Sequence, residues 1–206
     1  MSSISIIGLG NMAGALAGRA LAGGNAVEII GRDPAKAKEL AAVLDGATVG
    51  TAGAAPAGDI VVLAVPYAGA AAVVSEYGEA LHGKVIIDIT NPVSPDSQGL
   101  VTPDGSSGAQ EIAKVAPAGA HVVKAFNTVF GHMLAQGKPL DVLIAGDAAE
   151  AKATVSAFIK SLGMRPMDTG PLAMARWLEG TGLVMIGLGR YGAGNFNFTL
   201  GIDTSA

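Results

Sequence analysis

Residues 1–14 read MSSISIIGLGNMAG. The apolar run Ile4 to Ile7 leads into Gly8-Leu9-Gly10-Asn11-Met12-Ala13-Gly14, a G-x-G-x-x-A turn, and an alanine- and leucine-rich helical pattern follows. A buried strand that feeds a glycine turn and then a helix is how a βαβ unit grips a pyrophosphate. Gly8 lets the chain turn sharply. Gly10 puts no side chain between backbone and phosphates, and Ala13 is small enough for the helix to pack close on the strand. The phosphates then rest on free N–H groups at the helix N-terminus. Alone the pattern is weak; behind a strand and opening a helix, it predicts a dinucleotide site.

The next strand-like run, Ala26 to Ile30, ends at Gly31 and continues Arg32-Asp33-Pro34. An NAD site closes this strand with an acidic side chain that bonds the ribose 2′-hydroxyl. Here Gly31 stands in that place. Arg32, and Lys36 one helical turn further on, offer a guanidinium and an ammonium to a 2′-phosphate. Asp33 could bond a ribose instead, but it reads as the N-cap before Pro34 at the first helical position. The exchange of an acid for Arg32 favours NADP(H) over NAD(H).

Outward from these turns, apolar runs alternate with helical patterns. Strands are expected at 4–8, 27–30, 47–49, 59–65, 84–88, 121–126, 140–146 and, at an edge, 165–168. Helices are expected at 12–21, 34–44, 68–77, 108–115, 148–162 and 171–190. Near-continuous Val/Ile runs without polar alternation mark strands covered on both faces, hence an α/β fold with a doubly wound parallel sheet. The loop Val93–Ser107 is long enough to be functional or mobile.

The chain has 206 residues, half of them apolar, with 30 glycines, no cysteine and a net charge of −4. One full domain with a small appendage fits that length. The absence of cysteine excludes disulfides, thiolate metal sites and a nucleophilic thiol. Aromatics at 4% and an acidic balance argue against a nucleic-acid surface. The apolar stretch Ile60 to Val74 is broken by Pro66 and is shorter than the ~18 residues of a spanning helix. No secretory pattern precedes Ile4. The expectation is a soluble, cytoplasmic protein away from the membrane.

Ligands of doubly wound sheets lie beyond the carboxyl ends of the strands. Those ends carry Leu9 to Met12; Arg32 and Lys36; Val65, Pro66 and Tyr67; Thr90, Asn91 and Pro92; and Asn127, Thr128, Val129, Phe130 and Gly131. Together they read as the rim of a cofactor groove. No catalytic acid–base set or metal-ligand spacing is legible. His82, His121 and His132 are isolated, with His132 the nearest to a strand end. Asp88 is expected to bond nearby backbone N–H groups. Lys124 is expected to be structural or on the surface. That poverty suits hydride exchange between two cofactors, which needs proximity and a dry slot more than a proton-transfer residue.

The segments IIGLGNMAG, EIIGRDPAKAKELA, DIVVLAVPY, DITNP with VTPDGSSGA, VVKAFNT and LGMRPMDTGPL resemble the NADP oxidoreductase family that depends on the deazaflavin coenzyme F-420. The glycine turn is also similar to that of pyrroline-5-carboxylate reductase, whose long helical dimerisation domain 206 residues leave little room for. The resemblance implies a Rossmann domain, residues 1–168, and a small C-terminal helical lobe, residues 169–206. NADP lies along the strand ends and the deazaflavin stacks on the nicotinamide. Carried over by position, Leu9 to Met12 hold the pyrophosphate and Arg32 and Lys36 the 2′-phosphate. Tyr67, Ala71, Pro92 and Gly131 line the path from adenine to nicotinamide. Asn127, Thr128, Val129 and Phe130 face the second ring system. Asn127 and Phe130 stand where the characterised archaeal type has His and Pro, and VVKAFNT is closer to metalloreductase domains that pass electrons from NADPH to flavin. An ordinary flavin, a quinone or a flavin-bound metal is thus the alternative second substrate, and a non-catalytic NADP(H)-sensing module the alternative without chemistry. Gly180, Gly182, Gly187 and Gly189 permit close helix approach across a homodimer.

Overall fold

Glycines follow the first three strands, at Gly8, Gly31 and Gly50. The computed structural model describes residues 1–203. In chain order the elements are β1 (Ser3–Ile7), α1 (Asn11–Ala22), β2 (Ala26–Ile30), α2 (Pro34–Ala42), β3 (Thr48–Val49), β4 (Ile60–Leu63), α3 (Tyr67–Tyr77), β5 (Val85–Asp88) and α4 (Gly108–Val115). They continue with β6 (His121–Lys124), α5 (Gly131–Ala135), β7 (Asp141–Gly146), α6 (Ala149–Ser161), β8 (Arg165–Asp168) and α7 (Ala175–Arg190). Asp33 does cap α2, its carboxylate accepting from the N–H groups of Ala35 and Lys36, with Pro34 at the first helical position.

The strands form one sheet in the order β3-β2-β1-β4-β5-β6-β7-β8. The first six run parallel in the doubly wound Rossmann order, with the switch between β1 and β4. Expectation and structure part at β7, which pairs antiparallel with β6; β8 then pairs parallel with β7. In that register β7 starts beyond the carboxyl end of β6. The intervening α5 begins with Gly131 against Met12, at the same end of the sheet, so the chain re-enters from there. The expected helix 171–190 is also divided, into a 3-10 turn at Leu172–Met174 and α7.

Alternation along the strands feeds two cores. Ile4, Ile6, Val62 and Ile87 face α1 and α6, where they meet Leu16, Ala20 and Phe158. Val61, Leu63 and Ile86 face α3 and α4, where they meet Val74 and Ile112. Burying a Val, Leu or Ile side chain contributes about 1.5–3 kcal/mol. Arg19 ties α1 down from its last turn: its guanidinium donates to the carbonyls of Leu162, Leu134 and Lys138 at 2.8, 3.2 and 2.6 Å. Its burial lowers its pKa. Among the described residues no helix is long and apolar enough to cross a membrane.

The glycine turn has the expected division of labour. Gly8 has φ +138°, and a Cβ there would lie 2.0 Å from the carbonyl oxygen of Ala64. Gly10 has φ −81°, and a Cβ there would meet nothing within 4 Å. Ala13 is fully buried. Gly8→Ala should therefore cost roughly 3 kcal/mol or more, because strain and a backbone clash coincide. That lowers the midpoint of thermal unfolding by roughly 6–12 °C. Gly10→Val should leave the midpoint within roughly 2 °C. Differential scanning calorimetry of the two variants checks the contrast.

Candidate functional site

Two cavities open along the carboxyl rim. One, of about 740 Å³, runs over the glycine turn and is lined by Leu9, Gly10, Asn11, Met12, Gly14, Leu40 and Gly131, among others. The other, of about 750 Å³, lies beyond it among Asn91, Phe126, Asn127, Val129, Phe130, Gly182, Met185 and Phe196. Met12, Gly131 and His132 belong to the walls of both, so the two spaces adjoin along the rim. The first is backed by the start of α1, which no side chain caps and whose first turn holds no acidic residue. Its N–H groups and positive dipole end suit an anion.

Of the rim residues expected to bind, Leu9, Gly10, Asn11, Met12, Asn91, Asn127, Val129, Phe130 and Gly131 line these cavities. The others do not. A Cβ on Gly31 would lie 2.4 Å from Leu9 Cδ1; the missing side chain there seats Leu9. Arg32 and Lys36 are exposed just past it, with Lys36 Nζ 4.0 Å from Asp33. Gly8 is the hinge of the turn. Pro66 caps α3, Val65 and Ala71 are half-buried, and Pro92 and Thr128 are buried. Tyr67 turns its ring toward Gly108, where an added Cβ would lie 3.0 Å from it. Burial, and then the carboxylates of Glu111, Glu179 and Asp88, raise the Tyr67 phenol pKa.

Beneath the rim lies a buried ion cluster that the sequence reading missed. Lys124 is completely buried, and a surface position for it is ruled out. Its ammonium donates to Asp88 Oδ2 at 2.8 Å, Glu179 Oε1 at 2.8 Å and the carbonyl of Thr90 at 2.6 Å. Asp88 also accepts from the N–H of Thr90, as expected of it. Glu179, from the second turn of α7, accepts from the N–H groups of Gly108 and Ala109 at the start of α4. A lysine inside the apolar run VVKAF was the available signal, because a buried ammonium requires buried partners.

The second missed feature is the tail after α7. Phe130 stacks on His132 and meets Phe196 and Phe198 in T-shaped contacts. His132 Nε2 lies 3.0 Å from the carbonyl of Phe196. Gly182 and Gly189 are internal: a Cβ on the first would lie 2.4 Å from Asn91 Oδ1, and one on the second 2.3 Å from the Phe196 ring. That corrects the dimer role expected of them; Gly180 and Gly187 do face open space. Two buried rim atoms, Thr90 Oγ1 and Asn127 Oδ1, find no partner among the described residues.

Residues 3–92 match the family of NADP oxidoreductases, coenzyme F-420-dependent. An F-420-dependent NADP reductase of Methanothermobacter marburgensis is 31% identical over 74% of this chain and 68% of its own length. The chain belongs to this family. The metalloreductase STEAP3 of Rattus norvegicus is 33% identical over 85% of this chain, which spans about a third of that relative, 35%. A crystal structure from Arthrobacter sp. FB24 superposes with a TM-score of 0.84 at 29% identity, covering 98% of this chain and 100% of that one. An imine reductase of Aspergillus terreus, in complex with NADPH4 and dibenz[c,e]azepine, shares the fold at 22% identity and a TM-score of 0.71.

Lys124→Met should remove the cation and leave two buried carboxylates facing each other. A loss of roughly 3–5 kcal/mol is expected, because breaking a buried pair leaves uncompensated charge. Urea unfolding followed by circular dichroism reads it. The exposed control Lys36→Met should fall within roughly 0.5 kcal/mol of the parent.

Proposed function

We propose that the groove binds NADP(H) and that the chain transfers a hydride between NADP(H) and a deazaflavin of the coenzyme F-420 type. The observation that carries the reading is that the two cavities lie side by side along the rim and share Met12, Gly131 and His132. A dinucleotide spans such a groove, with its phosphates on one side of that shared wall and its nicotinamide on the other. The residues fit the cofactor: Gly10 leaves the backbone bare toward the first cavity and α1 starts uncapped behind it. Exposed Arg32 and Lys36 follow β2 at the place where an NAD site carries an acid.

When bound, the nicotinamide carries the hydride that the second ring system gives or takes. The protein's part is to hold the two rings in contact and keep water away. Val129, Phe130, Met185 and Phe196 make the second cavity mostly apolar. Direct ring-to-ring transfer asks for no side-chain acid or base. The F-420-dependent NADP reductase of Methanothermobacter marburgensis supports the deazaflavin. The STEAP3 relative supports a second reading, an ordinary flavin as acceptor. We also propose that residues 1–168 form the nucleotide domain and residues 169–206 a small C-terminal lobe, of which 204–206 lie outside the described residues. In the same reading α7 pairs with α7 of a second copy. Trp177, Val184 and Leu188 are its exposed apolar side chains and Tyr191 follows at its end, with Gly180 and Gly187 allowing close approach.

Oxidation of NADPH, followed by its absorbance, should be fast with oxidised F-420 and slow with FMN or FAD. Turnover with FMN or FAD alone transfers the assignment to the second reading, and turnover with none removes both. Gly10→Val should abolish NADP(H) binding while the fold survives. Arg32→Ala should raise the KM for NADPH roughly tenfold and leave that for NADH nearly unchanged, as loss of a charge-assisted phosphate contact requires. Equal effects on both cofactors would remove the 2′-phosphate role.

A further inference from the structure

At the carboxyl ends of β5 and β6 a closed ring of hydrogen bonds holds one side chain, that of Asn127. Lys124 Nζ donates to the carbonyl of Thr90 and to Glu179 Oε1. Asn91, which follows Thr90, donates from Nδ2 to the carbonyl of Asn127 at 2.8 Å and accepts at Oδ1 from Asn127 Nδ2 at 2.9 Å. Asn127 Nδ2 also donates to the carbonyl of Leu178 at 2.8 Å, and Leu178 precedes Glu179. The ring thereby closes on Lys124. The backbone adds to the lock: Phe126 is fully buried yet left-handed, with φ +61°, which turns the chain into Asn127.

Two backbone carbonyls fix how both amides face. A carbonyl only accepts, so Nδ2 of Asn91 must lie on the Asn127 carbonyl and Nδ2 of Asn127 on the Leu178 carbonyl. Asn127 has then committed both of its N–H groups. Its Oδ1 is buried and no donor among the described residues reaches it. The residue is 6% exposed and lines the second cavity. A buried amide oxygen without a donor is costly, and it persists in native proteins where a bound group or a trapped water completes it.

We propose that Asn127 Oδ1 accepts a hydrogen bond from the carboxamide N–H of the nicotinamide, which makes Asn127 the residue that selects a cofactor headgroup carrying an N–H donor. The proposal rests on the NADP(H) reading above. Asn127 presents an acceptor and has no amide N–H left, so the headgroup must do the donating. A primary carboxamide or thiocarboxamide donates; a methyl ketone does not. Lys124 and Glu179 are positioning residues for this contact, because they hold the Thr90 and Leu178 segments that hold the amide.

Isothermal titration calorimetry of the full chain tests it with three probes: NADP⁺, its thionicotinamide analogue and its 3-acetylpyridine analogue. The parent protein should bind the first two alike and the acetylpyridine form about tenfold more weakly. Asn127→Ala should bind all three alike. Equal affinities in the parent, or a tenfold gap that persists in Asn127→Ala, overturn the proposal; a trapped water on Oδ1 would give that result. If Asn127→Ala fails to fold, the parent series decides alone. If the parent binds none of the three, the NADP(H) reading falls, and this one with it.

Discussion

A lysine ammonium with no access to water holds this architecture together at its functional end. Lys124 uses all three of its donors, two on carboxylates and one on a carbonyl. Asp88 and Glu179 bring one negative charge more than Lys124 neutralises. The excess rests on the N–H groups at the start of α4, where the helix dipole is positive. Burying such a cluster gains little net stability, while removing one member is severe. Its effect is one of placement, because it fixes α7 and α4 against the ends of β5 and β6.

The rest of the groove follows from that placement. With α7 fixed, Gly182 can lie against Asn91, and Met185 and Ile186 become the wall opposite the β6 turn. The chain leaving α7 then folds back so that Phe196 and Phe198 reach Phe130. Gly189 leaves room for the Phe196 ring. Below these aromatics the left-handed Phe126 stores local strain of about 1–3 kcal/mol. Burial in the core and an edge-on contact with Phe158 offset it.

The groove therefore has two chemically distinct halves. The glycine-turn half is bare backbone at an uncapped helix start, which suits phosphate. The other half is apolar and aromatic with a locked amide in its wall, which suits a ring system. The ionisable groups beneath are spent on structure, and this division matches the proposed transfer between two bound rings.

The residues alone determined a good deal. A glycine turn behind an apolar strand determined where the groove begins, because only glycine accepts the φ of Gly8 and only a missing side chain leaves Gly10 open. Near-continuous Val/Ile runs determined the parallel sheet, and Asp33-Pro34 determined the start of α2. What tertiary structure decided was everything that depends on pairing distant segments. Periodicity carries no strand direction, so the reversal of β7 was illegible. Lys124, Asp88 and Glu179 stand 36 and 55 residues apart along the chain, and no local pattern says that two carboxylates will meet on one ammonium. The glycines of α7 look alike in sequence. Packing alone assigns Gly182 to Asn91, Gly189 to Phe196, and Gly180 and Gly187 to the open face, because a glycine's role is set by whichever atom fills the space its side chain would have taken.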